Sequence, residues 1–369
     1  MRRTWAAYPA AGRGAADAAR LGDAASRMLR ANWREGVTRD GVEYGYTRPD
    51  RVKYPDQFLW DSCFHAVAWS HLDPARARRE LRTLVAAQRP DGLIGHTVFW
   101  SGRVRLTRAF SYNLIARSDG STATIQPPLL AWAWAEVADR SPDDPGFLHL
   151  MLFNRRRRFS YRRVVAEGGF HAVDPLVNAA WALAWEGMAR LGEPGAAERS
   201  GRVTAALVER LWDPERAIFR PLGPDGRPLR VATWAGLAPL ALPGLPDEVA
   251  ARAIEAQLLD PARFWLPFPV PSVSAAEPSF RPGDTGRPIR RYWRGPTWLF
   301  ATRFAVDGLL RAGREDAARD LARRTAALVL RQGFREYYDP YTGRGLGARA
   351  FGVSAMALDA LVRAEGASP

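Results

Sequence analysis

Residues 175–189 read PLVNAAWALAWEGMA, a stretch apolar on nearly every side of a helix, whereas residues 75–88 read ARARRELRTLVAAQ and carry charge along one face. A helix apolar all round must be buried on every side, and an amphipathic one is what covers it. Both classes recur along the chain. Residues 351–362 are apolar like the first segment, and residues 314–331 are charged on one face like the second. Periodicity predicts helices over 14–33, 58–71, 74–88, 126–139, 146–158, 175–191, 195–212, 231–241, 246–259, 295–312, 314–332 and 351–364. Proline near the first turn marks several starts, as in Asp73-Pro74, Gln126-Pro127-Pro128, Asp174-Pro175 and Gly295-Pro296. Alternation of buried and covering helices predicts an all-α chain, an α/α toroid (barrel) of about six helical hairpins with inner and outer helices alternating, in one domain over 1–369.

The long connections precede inner helices: 89–125, 260–294 and 333–350. They carry aromatic residues such as Trp100, Phe268 and Tyr341 where loops are ordinarily polar. Such loops would converge on one end of the barrel axis and line a pocket.

Composition bounds the rest. The 369 residues are 47% hydrophobic, with 14 tryptophans and one cysteine, Cys63, which excludes a disulfide framework and a cysteine-built zinc site. No apolar run reads as a signal peptide or approaches the roughly 20 residues of a membrane span, so the expected setting is cytoplasmic. The net charge is +14, and Lys53 is the only lysine among the basic residues. Bias toward arginine codons accounts for that skew. The arginine run 155–158 comes with no nucleic-acid-binding signature and is read as a solvated helix end, so neither a nucleic-acid nor a membrane partner is expected. The charge suits a small anionic substrate.

Four segments concentrate chemistry at the loop-to-helix junctions. The first is Tyr54-Pro55-Asp56-Gln57-Phe58-Leu59-Trp60-Asp61-Ser62-Cys63-Phe64-His65, where an indole can stack on a sugar and a carboxylate can grip hydroxyls. The alternative reading of Asp61 is a helix cap, behind the sugar-binding one, and His65 reads as a core histidine. The second holds Gln126 before two prolines, for ligand contact or for capping. The third, Arg291-Tyr292-Trp293-Arg294-Gly295-Pro296-Thr297-Trp298, is too aromatic for a linker. In the fourth, Phe334 to Gly343, Glu336 lies between Arg335 and Tyr337-Tyr338, neighbours able to hold a carboxylate ionised or poise it as a base.

Together the motifs W-D-S-x-F-H, Q-P-P, D-P-x-x-N, Y-W-R-G-P-x-W and F-x-E-Y-Y-D-P-x-T-G resemble glycoside hydrolase family 63, in particular its bacterial mannosylglycerate and glucosylglycerate hydrolases, and more distantly trehalases. The resemblance runs from Tyr54 to the C-terminus. It implies an α/α toroid that works without a cofactor or metal and inverts the anomeric carbon with two carboxylates. Glu336 matches the family's general base. Tyr54, Trp60, Asp61, Gln126, Tyr292, Trp293 and Trp298 match positions lining the sugar pocket. Inverting hydrolysis needs a base and a proton donor on opposite faces of the sugar.

One part of the pattern is missing. The family carries its general acid in an E-S-G-x-D-N-S-like segment between the Q-P-P and D-P-x-x-N helices, and after Ala138 this chain runs through Ser141-Pro142-Asp143-Asp144-Pro145 straight to the arginine run. Asp174 is the substitute acid to consider, or else a helix cap; Asp119 is a loop carboxylate that would have to swing in. Two functions follow: a glycosidase acting on a small α-glycoside such as mannosylglycerate or glucosylglycerate, or a carbohydrate-binding pseudoenzyme that has lost its acid.

Overall fold

Proline opens helices where the sequence places it. Pro74 and Pro175 stand in first turns, and the caps before them are Asp73 and Asp174, whose side chains accept from the Arg76 and Val177 amides. The computed structural model describes residues 14–90, 92–100, 121–122, 125–141, 173–223, 225–283 and 293–366. Its helices are α1 (Gly14–Asn32), α2 (Leu59–Ser70), α3 (Pro74–Ala86), α4 (Leu130–Asp139), α5 (Pro175–Arg190), α6 (Ala196–Leu211), α7 (Asp247–Ala253), α8 (Leu299–Arg311), α9 (Glu315–Gln332) and α10 (Met356–Glu365).

The inner helices close a ring. α2 packs on α4, α4 on α5, α5 on a short 3-10 segment at Ala238–Ala241, that segment on α8, α8 on α10, and α10 back on α2. Outside it α3 covers α2, α6 covers α5, α9 lies across α8 and α10, and α1 lies against α9 and α10. This is the α/α toroid, with six inner stations among the described residues. The outer helix expected at 146–158 lies outside them.

Several boundaries differ from the sequence reading for local reasons. The helix expected from 126 begins at Leu130, because each proline of the Pro127-Pro128 pair drives its predecessor out of the helical region. The helix expected from 295 begins at Leu299, because Thr297 is committed to a backbone bridge with Tyr338. The helix expected over 231–241 is two 3-10 turns, Trp234–Gly236 and Ala238–Ala241, with Pro239 inside the second. Among the described residues the chain also carries four two-stranded antiparallel ribbons, which set loops and build no larger sheet. α5 is not buried all round: Trp181 is 47% exposed, beside a groove of about 540 Å³ between α5 and α6.

The barrel axis is plugged by charge. Fully buried Arg303 of α8 hydrogen-bonds Asp359 of α10 and Asp307 of its own helix, and its guanidinium lies 3.8 Å from Glu136 of α4. Asp359 also takes His71 Nε2 at 2.7 Å and Arg140 at 3.2 Å. Glu136 takes Arg190 of α5 at 2.7 Å and Arg363 of α10. Burial pulls the Arg303 guanidinium down to about 10. Burial alone would raise Glu136, but Arg363 and Arg303 hold it below its ordinary 4.5, at about 2.

Removing Arg303 takes the fully buried cation from Asp359, Asp307 and Glu136, and leaves Arg140 and Arg363 at the edge of the plug to balance them. Arg303→Leu should therefore lose ~3–5 kcal/mol in urea unfolding; a loss under about 1 kcal/mol would show the plug to be dispensable. Because the folded pKa of Glu136 lies below its ordinary value, its contribution is fully present above pH 4.5 and disappears as pH falls toward about 2. Acid unfolding followed by circular dichroism should show that decline, and Glu136→Gln should flatten it.

Candidate active site

Three loops meet at one end of the ring, and backbone hydrogen bonds join them. Residues 50–54 form a tight turn in which Asp50 Oδ1 accepts from the Val52 and Lys53 amides at 2.9 and 2.7 Å, and Asp50 bridges Tyr54. The ribbon Gln57–Phe58 with Thr97–Val98 then feeds the chain into α2. Residues 337–338 pair with 345–346, and the same hairpin extends to Glu336, whose amide donates to the Ala348 carbonyl at 3.1 Å. Thr297 exchanges two hydrogen bonds with Tyr338, at 2.8 and 2.9 Å, which ties the loop before α8 to that hairpin. Gly352 N–H donates to Pro49 O at 2.8 Å, joining the first and last loops.

Glu336 is almost wholly buried, at 1% exposure. Its Oε1 accepts from the Tyr54 hydroxyl at 2.7 Å and from Lys53 Nζ at 3.1 Å. Its Oε2 accepts from Lys53 Nζ at 2.8 Å and from the Ala348 N–H at 2.8 Å. The neighbours expected to hold this carboxylate, Arg335 and Tyr337, do not supply these bonds: the Arg335 guanidinium donates to Gly347 O and Tyr337 packs against Trp298. Along an extended hairpin, sequence neighbours point to opposite faces, so the partners come from across the fold. Gly347 has φ of +67°, and a Cβ there would stand 2.4 Å from Glu336 Oε2, so the residue facing the carboxylate has to be glycine.

Beside Glu336 the aromatic side chains join into one wall. Trp293 stacks on Trp298 at 4.1 Å, Phe300 lies 5.5 Å from Trp298 and 4.8 Å from Trp60, and Phe351 links Trp298 to Tyr54 at 6.3 and 6.1 Å. Trp293 remains 42% exposed, as a stacking surface requires.

Asp61 is not a helix cap. It lies in the first turn of α2, whose N-cap position is Phe58, and it is buried. Gln126 caps that helix from outside: its Oε1 accepts from the Trp60 amide at 2.9 Å while its Nε2 donates to Asp61 Oδ2 at 3.3 Å. Burial pushes the Asp61 carboxyl up to about 6, the charge of Glu336 adds to the rise, and His65 and Gln126 oppose it. His65 is the core histidine expected, with Nδ1 3.2 Å from Glu80 Oε1.

Asp174 caps α5, and burial raises its carboxyl above the ordinary range. No contact among the described residues joins it to Glu336. Tyr292, Asp119, Asp143 and Asp144 lie outside the described residues. The sequence reading missed Lys53 and Phe300. Phe300 carries no signal apart from its place in an apolar helix. Lys53 does carry one, as the single lysine of an arginine-rich chain beside Tyr54.

Residues 54–161 and 151–354 match a family model described as the mannosylglycerate hydrolase MGH1-like glycoside hydrolase domain. The mannosylglycerate hydrolase of Thermus thermophilus is 27% identical over an alignment of 405 positions, covering 84% of this chain and 95% of that protein. The glucosylglycerate hydrolase of Mycolicibacterium hassiacum is 25% identical, over 80% of this chain and 89% of its own. A crystal structure of the GH63 mannosylglycerate hydrolase from Thermus thermophilus, in complex with Tris and D-glycerate, superposes with a TM-score of 0.74 at 24% identity, covering 93% of this chain and all of that one. An alignment of 405 positions exceeds the 369 residues of this chain, so the relative carries residues with no counterpart here. The two stretches matched to the family overlap at 151–161, between the Q-P-P and D-P-x-x-N segments.

Because the Asp61 pKa is raised from 3.8 to about 6, its ionisation works against folding: stability should fall as pH rises from 3.8 to about 6 and then level off. The size is on the order of 2–3 kcal/mol. Asp61→Asn should remove that fall in thermal unfolding measured across pH 4–7; an unchanged profile would show that Asp61 titrates normally.

Proposed function

We propose, from the premise that this chain belongs to the family of mannosylglycerate hydrolase MGH1-like glycoside hydrolase domains, that it hydrolyses a small α-glycoside with an anionic aglycone, mannosylglycerate or glucosylglycerate, inverting the anomeric carbon. The observation that carries the reading is Glu336, a buried carboxylate held by Tyr54, Lys53 and a backbone amide beside an exposed tryptophan stack. A base needs this fixed orientation, and an indole face suits the C–H face of a sugar. The curated relatives named for glycerate glycosides and the net charge of +14 support the anionic aglycone.

In the reaction Glu336 takes a proton from water as the water oxygen bonds to the anomeric carbon. The glycosidic C–O bond breaks on the opposite face, and the leaving oxygen gains a proton. Trp60, Trp293 and Trp298 wall the sugar, Asp61 and Gln126 hydrogen-bond its hydroxyls, and Tyr54 orients the base. The proton donor is the open role. Asp174 is used as a helix cap, and Asp119 is the loop carboxylate that the sequence offers next. General acid assistance is typically worth ~10²–10⁴ in rate, so its weakness falls hardest on poor leaving groups.

The test is incubation with mannosylglycerate, glucosylglycerate and trehalose followed by NMR. The expected result is release of the inverted, β-configured sugar from a glycerate glycoside, with glycosyl fluorides turned over faster than the natural substrate. Glu336→Gln should reduce turnover about 10³-fold or more. Saturable binding without turnover of any substrate, fluorides included, would instead select the carbohydrate-binding pseudoenzyme. Turnover that survives Glu336→Gln would remove this mechanism.

A further inference from the structure

We propose that Lys53 is the displaceable donor of the site, an ammonium that covers both oxygens of Glu336 and withdraws when substrate and water enter. The proposal rests on Glu336 acting as the base.

A carboxylate has about four lone-pair sites. Those of Glu336 receive the Tyr54 hydroxyl at 2.7 Å, the Ala348 N–H at 2.8 Å, and Lys53 Nζ at 2.8 Å on one oxygen and 3.1 Å on the other. A water about to lose its proton needs one of these positions, so a donor has to move. Ala348 cannot, because its carbonyl accepts from the amide of Glu336 itself and fixes the hairpin register. Tyr54 cannot, being 8% exposed and wedged edge-on between Phe58 and Phe351. Lys53 can. Its side chain is 43% exposed, on a long flexible stem at the tip of the 50–54 turn, while the carboxylate beneath it is fully buried. When the ammonium swings out, each oxygen keeps one fixed donor, Tyr54 on Oε1 and Ala348 on Oε2, and the positions the ammonium held pass to the incoming water. The carboxylate therefore stays aimed while it becomes able to accept.

The residue type fits this role. The chain uses lysine only here, with arginine as its other strongly basic residue throughout. A guanidinium would grip both carboxylate oxygens with a planar fork, whereas an ammonium is a compact charge on rotatable bonds. A donor that has to leave is better served by the second.

Lys53→Arg and Lys53→Met, each in the full chain with folding checked by thermal unfolding, separate this role from simple charge pairing. If Lys53 only neutralises Glu336, the arginine variant is the more active of the two. If it has to leave, Lys53→Arg should lose about tenfold or more in kcat with KM little changed, and Lys53→Met should stay faster than Lys53→Arg although it melts lower. Arginine activity equal to wild type, or above the methionine variant, overturns the proposal. Because the chain has one lysine, reductive methylation with ¹³C-formaldehyde labels only Lys53 and the α-amine, and the Lys53 signal is identified by its loss in Lys53→Arg. That signal should shift in Glu336→Gln, and in wild type it should move toward the same position when mannosylglycerate is added. A signal indifferent to both also overturns the proposal, and this arm requires no turnover. Activity surviving in Glu336→Gln would refute the base itself; an inactive Glu336→Gln beside a fully active Lys53→Arg would refute only the displacement.

Discussion

The ring holds together around a buried set of charges. Arg303, Asp359, Glu136 and His71 sit where α2, α4, α8 and α10 converge, and Arg190 and Arg363 extend the set to α5 and back to α10. Hydrocarbon alone would let helices of such similar apolar composition slide or rotate against one another. An ion network accepts one register only, because each charge displaced by a turn is left without its partner in a low-dielectric interior. The plug thereby fixes where each inner helix starts, and with it where Trp60, Asp61 and the loop before α8 stand at the far end of the barrel.

At that far end the site is assembled by loop-to-loop bridges, not by the helices themselves. Thr297 with Tyr338, Gly352 with Pro49 and Glu336 with Ala348 bring three segments distant in sequence into one rigid rim. Against that rim, Lys53 is the exposed side chain that reaches the buried Glu336 carboxylate. The carboxyls of the site are set apart by surroundings: Asp61, buried with one amide partner, is raised, while the plug carboxylates are held down by arginines.

Much of this was legible in the sequence, for identifiable reasons. The toroid followed from two helix classes whose faces differ in polarity, a contrast decided by solvent exposure. Trp60, Trp293, Trp298, Tyr54 and Glu336 were legible because aromatic residues and a lone carboxylate in loops are costly unless used. The partners of Glu336 were not, since the expectation rested on Arg335 and Tyr337, which are adjacent in sequence, whereas its side-chain donors Lys53 and Tyr54 lie about 280 positions away. Helix starts at 126, 231 and 295 were missed where proline chemistry or a backbone bridge outweighed apolar periodicity. The role of Gln126 was half legible: capping was foreseen, but of its own helix and not of α2.

The contact between Lys53 and Glu336 spans 283 residues, and the bridge from Pro49 to Gly352 spans slightly more. Ring closure and completion of the site are thus one event, and it awaits residues 336–352. A nascent chain that has emitted every helix through α9 still lacks Glu336 and α10, the helix that packs on α2. Folding dominated by so distant a closure is slow relative to local helix formation, and the apolar inner helices stay exposed in the interval. The interval between the emergence of α2 and that of α10 is the one in which the chain shows the apolar surface that the finished barrel hides.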